Sequence, residues 1–263
     1  MRQLGVVVLL LFLVGCASQP AETTSHQPTE EDQQELAKIY LDMGLAYLRR
    51  GEIRRAQERL EKAYAIQPED VNIVHYLAEV YNRLGKTAEA EVHYRKALEL
   101  TPEDPNLLNN FAALLCSQGS YVEAEEIFIK VAENPTYTTP YVSYENAGRC
   151  ALRNGEKGKA EGYFSRALRM QPKLALSLYH MADLQYDKGE HFRARAFLER
   201  YLEVGAASAE VLLLGYKIEK ELGDDQMASS YAEQLVKNFR DSEQTAELRE
   251  LERAASREQD LTE

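Results

Sequence analysis

The chain has no tryptophan, only three cysteines and five histidines, and far fewer basic than acidic residues. Three cysteines cannot make a disulfide-stapled scaffold or a four-thiolate zinc site. With 31 Lys+Arg against 43 Asp+Glu the formal net charge is −12. Such a chain repels phosphate, which excludes a non-specific nucleic-acid binder. Eight Pro and fourteen Gly are too few for a low-complexity chain of this length. No stretch of G-x-G-x-x-G, G-x-x-x-x-G-K-[ST], G-x-S-x-G or H-E-x-x-H type is present. The machinery for phosphate cradling, acyl transfer or zinc hydrolysis is therefore missing. His26, His75, His93, His180 and His191 form no H-x3-H pair, so no metal and no cofactor are expected, and the chain is read as non-enzymatic.

Long apolar runs are missing too. The longest is the eleven-residue stretch from Leu4 to Val14, whereas a helix needs about 20 residues to span a bilayer. Following Arg2, it has the length of a signal-peptide core. It ends in Leu13-Val14-Gly15-Cys16, which resembles the bacterial lipoprotein cleavage box, in which the cysteine is acylated and becomes the first mature residue. Residues 1–15 are thus expected to be cleaved and Cys16 to carry the lipid. Asp, which favours inner-membrane retention in that class, does not follow the cysteine; Ala17 and Ser18 do. By this resemblance the mature chain belongs at the outer membrane, held there through the lipid alone. The polar residues up to 36, rich in Gln, Glu, Thr, Ser and Pro, read as a flexible tether, because they cannot bury enough surface to offset the entropy of ordering.

From Ala37 the chain repeats itself every 34 residues. Gly44, Gly51, Ala56, Leu60, Ala63 and Pro68 are followed in register by Ala78, Gly85, Ala90, Tyr94, Ala97 and Pro102. Further copies carry Ala112, Gly119, Ala124 and Phe128, then Gly148, Gly155, Ala160, Phe164 and Pro172 after a two-residue insertion near Thr139. The last two hold Ala182, Gly189, Ala194 and Leu198, and a worn set of Gly215, Gly223, Ala228 and Leu235. This is the tetratricopeptide pattern with every tryptophan slot filled by another apolar residue. Small residues let the two helices of a repeat cross closely. The glycines at 51, 85, 119, 155, 189 and 223 suit left-handed caps of the first helix. The prolines stop the second. An all-α, right-handed superhelical solenoid of six repeats and about twelve antiparallel helices is predicted over 37–242, with repeats at 37–70, 71–104, 105–138, 141–174, 175–208 and 209–242. Residues 243–263 read as a frayed or disordered polar tail.

A solenoid of this kind offers a long concave surface. In the tetratricopeptide family the first helix of each repeat lines it, at positions 2, 5, 9, 12 and 13 of the unit. That rule places Leu41, Leu45 and Leu48 in the groove, pointing away from the repeat core and open to an amphipathic segment of a partner. It adds Asn109, Arg149, Tyr179 and Asp183 further along, a polar and aromatic mixture suited to a peptide or helix. With Cys16 taken by lipid, Cys116 and Cys150 are the remaining thiols of a periplasmic chain. They lie on the first helices of adjacent repeats, which stack about 8–10 Å apart, so a disulfide is expected. The alternative is a pair of half-buried free thiols, since the insertion alters the stagger between these repeats.

A lipobox, a polar tether and six tetratricopeptide repeats together resemble the type IV pilus pilotins of the PilF/PilW type. The likeness is most specific at Leu107-Leu108-Asn109-Asn110-Phe111, Tyr144-Glu145-Asn146-Ala147-Gly148, Leu212-Leu213-Leu214-Gly215 and Ala228 to Leu235. It implies an outer-membrane lipoprotein that helps the pilus secretin assemble into its multimeric pore, with the secretin or another pilus assembly protein as partner, and acting as a monomer. The alternative is another periplasmic repeat lipoprotein, a scaffold for outer-membrane protein assembly or cell-wall synthesis.

The lipobox yields a direct test. Labelled palmitate should be incorporated at Cys16, and the protein should fractionate with the outer membrane. Cys16→Ser should remain unprocessed or be mislocalised. A Cys16→Ser chain of unchanged mature mass in the outer membrane would refute the anchor.

Overall fold

A computed structural model describes residues 29–260. The expected signal peptide, Cys16 and most of the expected tether lie outside the described residues.

Among the described residues the chain forms thirteen helices and no strand. They pair as α1 (Glu30–Arg49) with α2 (Ile53–Ile66), α3 (Val71–Arg83) with α4 (Thr87–Leu100), and α5 (Pro105–Ser117) with α6 (Tyr121–Ala132). The second half holds α7 (Pro140–Arg153) with α8 (Lys157–Met170), α9 (Ala175–Asp187) with α10 (His191–Leu202), and α11 (Ala209–Leu222) with α12 (Asp225–Asn238). A further helix, α13 (Glu243–Asp260), closes the array. None of these helices is long and apolar enough to cross a membrane.

Each pair is built the same way. The six glycines that follow the first helices have φ between +72° and +87°, the left-handed region where a side chain is strained. Inside the pair, a small residue of the first helix meets a large one of the second. A Cβ added at Gly44 would lie 2.7 Å from Leu60, one at Gly148 2.7 Å from Phe164, and one at Gly215 2.8 Å from Tyr231. The same sequence spacing separates the partners in all three cases. In the worn sixth repeat both members of the pair have slipped by one position and so kept their match. Ala78, Ala112 and Ala182 fill the slot elsewhere and are fully buried, as are Tyr94, Phe128 and Leu198 opposite them.

The insertion near Thr139 appears as a long connection, residues 133–139, between α6 and α7. Tyr137 fills the space beneath it, and Asn134 accepts from the Thr136 backbone at 2.9 Å. Across the same junction Cys116 of α5 and Cys150 of α7 are joined by a disulfide, with Cα atoms 5.8 Å apart. In the chain-entropy account, a bridge closing a loop of this size adds about 3–4 kcal/mol.

Both ends of the array differ from the sequence expectation. The tether was expected to run to residue 36, but α1 starts at Glu30. Thr29 forms a capping box with Asp32: the Asp32 N–H donates to Thr29 Oγ1 at 3.1 Å and the Thr29 N–H donates to Asp32 Oδ2 at 2.8 Å. Glu30, Glu31 and Asp32 also place negative charge at the helix N-terminus, where the dipole favours it. The polar composition of this segment is thus that of a helix start.

The expected tail is instead helical up to Asp260, docked over its first turns and exposed along residues 249–257. Thr245 and Leu248 of α13 are fully buried, Thr245 Oγ1 donates to the Phe239 carbonyl at 2.7 Å, and Lys217 of α11 pairs with Glu247 at 2.5 Å. A solenoid end exposes the apolar face that the next repeat would have covered. Here α13 covers it, which explains why Val211, Leu212, Leu213 and Leu214 are all buried.

The small-to-large contact can be tested within one helix pair. Gly148→Ala should cost about 1–3 kcal/mol through overpacking against Phe164. Gly162→Ala in the interior of α8, where an added Cβ meets nothing within 4 Å, should instead stabilise by about 0.5–1 kcal/mol through helix propensity. Urea unfolding of the two variants checks the opposite signs.

Candidate partner-binding groove

The first helices α1, α3, α5, α7, α9 and α11 stack side by side and form the inner wall of the solenoid. Neighbouring helices are stitched by polar contacts close to their N-terminal halves. Asn110 of α5 is 2.9 Å from His75 of α3. Ser143 of α7 donates to Asn109 of α5 at 2.8 Å, and Asn146 donates to the same oxygen at 3.4 Å. Ser177 of α9 donates to Glu145 of α7 through its hydroxyl at 2.7 Å and its backbone at 3.2 Å. Ser143 and Ser177 are fully buried and Asn109 nearly so, so these bonds satisfy groups that would otherwise be costly to bury.

This seam changes the assignment of several residues expected in the groove. Asn109 lies in the seam with 6% of its surface exposed and is spent on holding α5 to α7. Leu48 is 8% exposed and belongs to the packing between the first two repeats, with Leu60, Leu77 and Val80. Leu41 and Leu45 are half-buried against the same cluster, beside Tyr76 and Leu84. The expectation of a side chain pointing away from the core is corrected for Leu48, which is buried; Leu41 and Leu45 pack against the same cluster but keep part of their surface open. The apolar residues that α1 does expose are Leu36 and Ile39.

Arg149, Tyr179 and Asp183 do reach the open concave surface. Arg149 and Arg153, one turn apart on α7, are exposed and have no acidic partner within 4 Å among the described residues. They border a hollow of about 210 Å³ with Asn82 and Asn146, floored by the Cys116–Cys150 bridge. One repeat on, the sign reverses. Asp183 and Asp187 occupy the corresponding positions of α9 and face Glu210, Lys217 and Glu247 across a hollow of about 240 Å³ that also holds Tyr179 and Tyr186. Burial, reinforced by the Asp187 charge, raises the Asp183 carboxyl above the ordinary aspartate range. Burial and then Asp183 raise the Tyr179 hydroxyl. Beyond this lies a mainly apolar cleft of about 360 Å³ lined by Leu176, Tyr179, Tyr201 and Val211. Sequence position had marked Tyr179 and Asp183, but not Leu176's neighbours Tyr201 and Val211, which come from α10 and α11.

The groove thus runs from a basic centre to an acidic, aromatic C-terminal end, and it presents side chains that the fold leaves open. Among the described residues, no group of His, Cys, Asp or Glu is placed to hold a metal ion. The arrangement suits recognition of a polypeptide.

The fold and the repeat register define a tetratricopeptide-repeat protein. Tetratricopeptide family models match residues 41–105 and 145–210, and residues 93–126. Over 237 residues the chain is 30% identical to the type IV pilus assembly protein PilF of Pseudomonas aeruginosa, covering 89% of this chain and 92% of that one. A solved structure of P. aeruginosa PilF superposes with a TM-score of 0.74 at 29% identity, over 82% of this chain and 98% of its own. PilW, described as a widely conserved type IV pilus biogenesis factor, gives a TM-score of 0.74 at 30% identity, over 81% and 98%. The chain belongs to this family of type IV pilus assembly proteins.

His180, next to Tyr179 on α9, supplies a pH test. It stacks on Phe164 with ring centroids 5.1 Å apart. Burial first, and then the Arg149 charge, pull it down to about 4 from 6.5. The neutral ring is the form the fold accepts, so the unfolded chain binds the proton more readily. The stability His180 supports is complete above about pH 6.5 and is lost as the pH falls through about 4. Denaturant unfolding of the wild-type chain and His180→Phe across that range should show a gap that shifts against the wild type as pH falls. A pH-independent gap would refute the burial argument.

Proposed function

We propose that this chain is a pilotin: a lipid-anchored, non-enzymatic assembly factor at the outer membrane that promotes multimerisation or stability of the type IV pilus secretin. Cys16 supplies the anchor, the repeats face the periplasm, and the solenoid groove binds a segment of the secretin or of another pilus assembly protein. The observation that carries the reading is the relation to PilF along 89% of the chain. The groove agrees with it: its open residues are charged and aromatic, the types enriched where proteins bind one another.

A deletion strain tests this role. It should lose surface pili, twitching motility and heat-stable secretin multimers, and the full chain supplied in trans should restore all three. Normal pili and multimers combined with a permeable envelope would overturn the reading in favour of a scaffold for outer-membrane or cell-wall assembly.

A further inference from the structure

The side-chain bonds along the seam between the first helices stop short of both its ends, and among the described residues none joins α1 to α3. Polar contacts bind α3 to α5, α5 to α7 and α7 to α9. Among the described residues no side-chain hydrogen bond or ion pair joins α9 to α11. The connection between these repeats, residues 203–208, is also longer than 67–70, 101–104 and 171–174, though shorter than 133–139. The cleft of Leu176, Tyr179, Tyr201 and Val211 opens at this point. Its wall is held open by its own chain: Tyr201 donates to the Ala206 carbonyl at 3.0 Å, and a Cβ at Gly205 would lie 2.6 Å from the Tyr201 ring. The loop lies tight on that ring and has no room to collapse into the cleft. Leu176 stays 37% exposed.

The adjoining charge is unbalanced. Lys157 takes Asp187 and Lys217 takes Glu247. Asp183 and Glu210 have no cation within 4 Å among the described residues, although the Lys157 and Lys217 charges act on Asp183 from farther away; Glu210 accepts from Ser208, at 2.7 Å, and Gln244, at 3.5 Å. Tyr179 and Glu210 line both the apolar cleft and the acidic hollow, so the two form one continuous surface.

We propose that the α9–α11 cleft docks a partner segment presenting an apolar side chain next to a lysine or arginine. The apolar group fills the cleft against Leu176 and Tyr201, and the cation meets Asp183 and Glu210. A cation there is attracted across a partly desolvated surface, where charge pairs are stronger than in open water. A segment with an acidic residue in the same place meets two unpaired carboxylates and is rejected. This rests on the concave face being the partner-binding surface.

Three fluorescein-labelled twelve-residue peptides in a Gly/Ser frame test it by anisotropy against the full chain: one with Leu flanked by two Lys, one with Leu flanked by two Glu, one with Ser flanked by two Lys. The Lys–Leu–Lys probe should bind at least tenfold more tightly than the others and weaken with salt. Leu176→Asp and Asp183→Asn should each lower its affinity at least fivefold, with circular dichroism unchanged, and Asp183→Asn should flatten the salt dependence. Equal binding of the three probes, no binding at millimolar concentration, or unaltered affinity in both variants overturns the proposal. So does a chain dimer that Leu176→Asp dissolves, which assigns the cleft to a second copy. Secretin multimers that need the chain but not Leu176 or Asp183 remove this cleft and leave the pilotin role. Probe binding in a chain whose deletion leaves the multimers intact does the reverse.

Discussion

The close crossing of the two helices within each repeat is the constraint on which everything else rests. Gly44 against Leu60, Gly148 against Phe164 and Gly215 against Tyr231 leave no room for even one methyl group. Because that crossing recurs in all six pairs, the first helices emerge at nearly constant rotation and present the same unit positions inward. The sixth repeat shows what is held fixed. Its sequence has drifted until the glycine and its partner each sit one position early, yet they drifted together. A pairwise contact of this kind can be displaced along the sequence only if both members move.

A stack with only nearest-neighbour contacts is as strong as its junctions. Here the junctions between first helices carry buried polar bonds, Asn109 to Ser143 and Glu145 to Ser177. Apolar packing alone tolerates a shift of register, whereas a buried serine hydroxyl or asparagine amide loses its partner if the helices slide. The disulfide reinforces the junction where the connecting chain is longest, after α6. The bonded junctions are the middle ones, from α3 to α9; among the described residues no such bond joins α1 to α3 or α9 to α11.

The repeat architecture was legible because it depends on residue size and backbone freedom, both of which a sequence states outright. Glycine every 34 residues and alanine at matching offsets fix the turns and crossings without reference to neighbours. Leu48 was misplaced for the opposite reason. Whether an apolar residue on the inner side of α1 faces solvent or the next repeat depends on the stagger to α3, which no local pattern encodes. Asn109 raised the same difficulty, since its partner Ser143 lies across the insertion and on another helix. The two ends were misread through composition. Thr29-Glu30-Glu31-Asp32 is as polar as a tether but is a helix cap, and the sparse Thr245 and Leu248 stripe is enough for a helix that only has to close one face.

The position of the N-terminal boundary bears on how the groove is presented. With α1 starting at Glu30, twelve residues, 17–28, separate Cys16 from Thr29. Under the proposed anchoring, the covalent chain limits the start of the solenoid to about 45 Å from the lipidated residue, even at full extension. A tether running to residue 36 would have allowed considerably more. A short leash raises the effective concentration of the groove for segments close to the membrane and lowers it for those far away. The α9–α11 cleft lies near the far end of the array from that attachment. A partner segment engaging it must therefore stand off from the membrane by much of the solenoid's length, or the solenoid must lie along the membrane surface to meet it.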